Sequence, residues 1–96
     1  IELGGGYGLL CLLTFKYMSV KKYIIYDLEG FNAIQKIYLK ELLPLKDFNK
    51  IEFINDYNVF KKRTSQIKKF NFFAFWSLSE INEEFRDRFL FIIKKT

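Results

Sequence analysis

The 96-residue chain sets sixteen Lys and Arg against eleven Asp and Glu, a net charge of +5, with half its residues apolar and a fifth aromatic. Such an apolar supply excludes a disordered tail and suffices for the core of a single domain or part of one. With no histidine and one cysteine, Cys11, the sequence excludes an internal disulfide and a conventional zinc site; it also lacks a histidine general base and matches a reducing, cytoplasmic setting.

Ile1–Leu3 reads as the end of a strand, as if the sequence began inside a fold. Tyr7 to about Met18 follows as a helix that is apolar nearly all round, a pattern expected of burial on most faces. Its apolar run ends at Lys16, well short of the ~18 residues that span a bilayer. Tyr23-Ile24-Ile25-Tyr26 is a β-branched and aromatic run, the mark of a buried strand, and it ends in Asp27. Gly30 is expected to break the chain ahead of a second helix, about Phe31 to Leu43, with Phe31, Ile34, Tyr38 and Leu42 on one face and Pro44 closing it.

Ile51–Ile54 is the third strand. Tyr57–Lys69, rich in cations, reads as a loop with a turn of helix, and Phe70–Phe75 as a fourth strand. A last helix from Glu80 or Ile81 to about Lys94 carries Ile81, Phe85, Phe89 and Ile92 on one face, with Ser79 as its N-cap. Strands alternating with helices predict an α/β fold with a parallel sheet, right-handed crossovers and helices on its faces.

A glycine turn between a strand and a helix has a definite use. Glycine accepts positive φ and lets a ligand reach the backbone, while the helix presents its unpaired N–H groups. In doubly wound folds the ligand lies beyond the carboxyl ends of the strands. The dinucleotide spacing Gly-x-Gly-x-x-Gly fails here, because Leu9 and Cys11 stand where the third glycine belongs. The pattern that fits is acid-x-Gly-x-Gly-x-Gly, with Glu2, Gly4, Gly6 and Gly8 and with Gly5 between. Asp27 lies nineteen residues beyond Gly8, at the strand tip where a carboxylate accepts ribose hydroxyls. Against this, glycine turns also serve as plain connectors, and Asp27 reads alternatively as a cap or turn residue.

This loop resembles the nucleoside-binding loop of the class I methyltransferases that use S-adenosyl-L-methionine. Glu2–Gly8, Lys22–Leu28 and Trp76-Ser77-Leu78-Ser79-Glu80 together resemble the sugar O-methyltransferases of bacterial surface-polysaccharide clusters. The resemblance implies a Rossmann-like, partial doubly wound sheet: strands 1–4 of a seven-stranded fold in spatial order 3-2-1-4. Residues 1–96 would form one partial domain, the cofactor-binding half. It further implies that Gly4, Gly5, Gly6 and Gly8 approach the cofactor, that Glu2 anchors the loop or the amino group, and that Asp27 holds the ribose. Leu28 would lie against the adenine, and Asp56 would reach the adenine amine; Asp56 reads equally as a turn residue. Trp76 and Ser77 would meet a sugar or glycan hydroxyl, with Glu80 as the nearest carboxylate base. As the alternative, Ser79 and Glu80 simply begin a helix.

Two other readings compete with the sugar enzyme. Lys61-Lys62-Arg63 and Lys68-Lys69 beside Phe70, Phe72 and Phe73 raise nucleic-acid binding, hence an RNA methyltransferase, although a continuous aromatic run suits a buried strand better than a stacking surface. The other is a non-catalytic remnant or interaction module that keeps the fold without the chemistry.

Overall fold

The computed structural model describes residues 1–4, 7–71 and 73–74. The described chain is α/β, and its centre is a parallel sheet of β1 (Glu2–Leu3), β2 (Tyr23–Tyr26) and β3 (Ile51–Ile54). β2 lies between the other two, with Glu2 opposite Ile25 on one side and Tyr23 opposite Ile51 on the other. The short strand β4 (Phe73–Ala74) pairs in parallel with the free side of β1, Glu2 opposite Phe73.

The helices follow the strands in alternation: α1 (Leu9–Tyr17), α2 (Glu29–Leu42), α3 (Leu45–Phe48) and α4 (Tyr57–Ser65). All four residues of β2 are buried because both faces of the sheet are covered. Ile24 and Tyr26 pack with Ile1, Leu3, Ile54 and Phe60 on the α4 side. Tyr23 and Ile25 pack with Cys11, Leu39, Leu43 and Ile51 on the side of α1 and α2. This split follows the two-residue period of strand side chains and makes the sheet doubly covered.

Several expectations need correction. Gly30 does not break the chain; it is the second residue of α2, with no positive φ. The buried residues of α2 are Asn32, Gln35 and Leu39, whereas Phe31, Ile34 and Leu42 are about half exposed. The helix is therefore turned by about one residue, some 100°, from the face that hydrophobicity alone selects. Its outward side carries a shallow groove of Ile34, Ile37, Tyr38, Glu41 and Leu42.

α1 begins two residues later than expected and is not buried all round: Cys11 is its buried residue, while Leu9, Leu13 and Tyr17 are exposed. Pro44 does more than end α2, since its carbonyl accepts from Asp47 and Phe48 and starts α3. The cationic stretch after β3 is a full helix over Tyr57–Ser65 rather than a loop with one turn. Phe60 and Thr64, four residues apart and fully buried, pin it to the sheet. The fourth strand begins at Phe73, and Phe70 precedes it as a partly buried residue against the α4-side core. The expected final helix lies outside the described residues.

Candidate functional site

The carboxyl ends of β1, β2 and β3 lie side by side and are tied together by backbone bonds. The Gly4 amide donates to the carbonyl of Tyr26 at 2.9 Å, and the Asp27 amide donates to the carbonyl of Ile54 at 3.1 Å. The start of the glycine loop, Asp27 and the residues after Ile54 thus occupy one edge of the sheet. This is the edge at which doubly wound sheets bind ligands.

Gly4 and Gly8 are the two described residues with positive φ, +69° and +106°. Both values lie where an L side chain clashes with its own backbone. Gly8 is the N-cap of α1 and carries a second constraint, for a Cβ there would sit 3.1 Å from the Leu39 side chain of α2. The glycine therefore also allows α1 and α2 to approach closely. Gly5 and Gly6 lie outside the described residues.

Asp27 is buried at 3 % exposure. Its Oδ1 accepts from the Leu28 amide at 2.8 Å and its Oδ2 from Nε2 of Gln35 at 3.0 Å. Gln35 in turn accepts at Oε1 from Nδ2 of Asn32, 2.9 Å away. Leu28, next in the chain, is two-thirds exposed and precedes α2 as an apolar surface beside the carboxylate. Gly4, Asp27 and Leu28 thus lie together on this edge, while Gly8 opens α1 against Leu39 of α2.

Glu2 is placed differently. Its side chain is fully buried on the α1 and α2 face, where Oε1 accepts from the Tyr23 hydroxyl at 2.8 Å. Tyr23 precedes Ile25, the partner of Glu2, by two residues, so this bond runs toward the amino ends of the strands and away from the loop. Oε2 has no hydrogen-bond partner among the described residues. Burial raises the Glu2 carboxyl above its ordinary range, and burial likewise pushes the Tyr23 phenol and the Cys11 thiol far up. Cys11 is accordingly a packing residue rather than a nucleophile.

Asp56 takes the turn role in this structure: Oδ1 accepts from the Val59 amide at 3.1 Å and caps α4. It remains exposed at the carboxyl end of β3, on the same edge as Asp27. Trp76, Ser77 and Glu80 lie outside the described residues.

Asn32 and Gln35 are the site residues that sequence reading missed. The available signal was two polar residues at i and i+3, in line with Leu39 at i+7, directly after a strand-end carboxylate. One cation of α4, Arg63, also has a structural account. Arg63 makes a two-pronged bond to the Glu52 carboxylate at 2.7 and 2.8 Å, with Lys22 at 3.2 Å on the same group. These bonds hold Glu52 below the usual carboxylate range.

No group of three or more metal-ligating side chains exists among the described residues, and none of their helices is long and apolar enough to cross a membrane. No protein-family profile, curated protein or solved structure matches this chain.

Proposed function

We propose that the chain is the cofactor-binding half of an S-adenosyl-L-methionine-dependent methyltransferase acting on a sugar hydroxyl. The observation that carries this reading is one shared edge: two positive-φ glycines, the buried carboxylate of Asp27 and the exposed Leu28 stand together at the carboxyl ends of adjacent parallel strands. The residues fit the nucleoside part of such a cofactor. Among the described residues each Asp27 oxygen accepts one bond, which leaves acceptor capacity for a ribose hydroxyl. Leu28 offers an apolar wall for a base, and the bare backbone at Gly4 and Gly8 admits close approach.

The sheet would be the first half of a seven-stranded one in order 3-2-1-4, a reading supported by the parallel pairing of Phe73–Ala74 with β1. When bound, the cofactor supplies an electrophilic methyl on sulfur. The chain's own part is to hold the donor in line with its acceptor, which is where much of the rate of such transfers arises. The sugar acceptor rests on the resemblance at Trp76–Glu80, in which Glu80 is the nearest carboxylate by sequence to serve as the base for the hydroxyl proton.

Titration calorimetry with S-adenosylhomocysteine tests the cofactor assignment. The native chain is expected to bind it, and Asp27→Asn to weaken binding about tenfold, the worth of a charge-assisted hydrogen bond. Absence of heat from the native chain, or unchanged affinity in Asp27→Asn, overturns the reading.

A further inference from the structure

We propose that Gln35, oriented by Asn32, is a positioning residue that fixes the Asp27 carboxylate for recognition of a vicinal diol; this rests on the nucleoside reading above. The chemistry of the three side chains leaves one arrangement. A carboxylate only accepts hydrogen bonds, so the Gln35 amide must turn its Nε2 toward Asp27. Its Oε1 must then face Asn32, which in turn must offer Nδ2. The Asn32 Oδ1 is left at the end of the chain, buried and with no partner among the described residues. The orientation of every member thus derives from the charge on Asp27.

Burial makes this arrangement costly as mere filling. Gln35 is fully buried and Asn32 is 4 % exposed, on the α2 face that packs against the sheet, while the apolar Phe31, Ile34 and Ile37 face outward. A helix that only needed to pack would present those apolar residues to the core instead. An orphaned buried acceptor loses its hydration without a replacement bond, so this polar face carries a cost that an apolar one would not.

The geometric effect is specific. Leu28 N holds Oδ1 and Gln35 Nε2 holds Oδ2, so the carboxylate cannot rotate about its Cβ–Cγ bond without breaking both bonds. Two pinned oxygens present two acceptors in one fixed orientation. That geometry suits two adjacent hydroxyls and gives no advantage to a ligand lacking them.

The test compares S-adenosylhomocysteine with its 2′,3′-dideoxyribose analogue by calorimetry. The native chain is expected to prefer the diol about tenfold or more. Gln35→Met keeps the volume and removes the donor. It is expected to cut the preference to about threefold or less while leaving affinity for the dideoxy analogue unchanged. Asn32→Ala, which frees the Gln35 amide to turn, is expected to lower the preference in the same direction, and it decides the matter if Gln35→Met fails to fold. Equal weakening of both ligands, or a preserved preference, means that Gln35 only supports the fold and overturns the proposal while the nucleoside reading stands. If the native chain binds neither ligand, the nucleoside reading falls first and this proposal with it.

Discussion

Replacing Gly8 with alanine tests the central geometric claim about the loop, that the residue opening α1 must be glycine for two separate reasons. The first is its backbone, at φ +106° and ψ 14°, where a Cβ costs about 1–2 kcal/mol. The second is space. The new Cβ would lie 3.1 Å from both Cγ and Cδ1 of Leu39, which is fully buried and has little room to retreat. Forcing a methyl into a packed site costs about 1–3 kcal/mol more. Gly8→Ala should therefore lower the unfolding free energy by about 2–5 kcal/mol, a large share of the stability of a small domain.

Urea unfolding followed by far-ultraviolet circular dichroism measures this effect. Leu39→Ala supplies the second arm of a double-mutant cycle and should cost about 2–5 kcal/mol alone. Because the cavity it leaves accepts the methyl added by Gly8→Ala, the double variant should lose about 1 kcal/mol less than the sum of the single losses. A Gly8→Ala loss below about 0.5 kcal/mol would refute the strain account. Additivity of the two changes within about 0.3 kcal/mol would refute the contact with Leu39.

Two further perturbations read other parts of the structure. Gly30→Ala should raise stability by about 0.5–1 kcal/mol, since Gly30 is helical, has ordinary φ and would place its Cβ in open space; a loss would show a role that the fold does not reveal. Glu2→Gln should remove part of the pH dependence of stability. The folded carboxyl sits above its unfolded value, so its contribution is full below that value and is lost as pH rises through the folded pKa. The variant should therefore gain on the native chain across that window and run parallel to it elsewhere, whereas an identical pH slope in urea midpoints excludes Glu2 as the source. Glu52 works in the opposite sense: its depressed pKa gives stability above the ordinary carboxylate range that is lost as pH falls through the folded value.

Much of the strand framework was legible because parallel strands buried on both faces need continuous β-branched and aromatic runs. Tyr23–Tyr26 has that form, Ile51–Ile54 approaches it with Glu52 as its one polar residue, and each is a strand with its expected bounds. The loop was legible for a similarly local reason, as the glycine spacing around Gly4 and Gly8 answers to backbone angles. The helical segment after β3 was harder to read. The cations of Lys61-Lys62-Arg63 mask the helix in composition, and its anchors are Phe60 and Thr64 at i and i+4 with the Asp56 cap.

Local spacing was enough to specify the strand–helix alternation, the glycine turn and the carboxylate at the tip of β2, because each depends on neighbouring residues. Packing in three dimensions settled which face of α2 turns inward and where the Glu2 carboxyl points. Hydrophobic periodicity favours Phe31, Ile34 and Leu42, yet the sheet edge buries Asn32, Gln35 and Leu39, because Asp27 needs a donor and Gly8 needs a neighbour that fits. Glu2 meets Tyr23 across twenty-one residues through strand register alone. Contacts of that kind arise from the pairing of β1 with β2, a long-range event that local spacing does not encode.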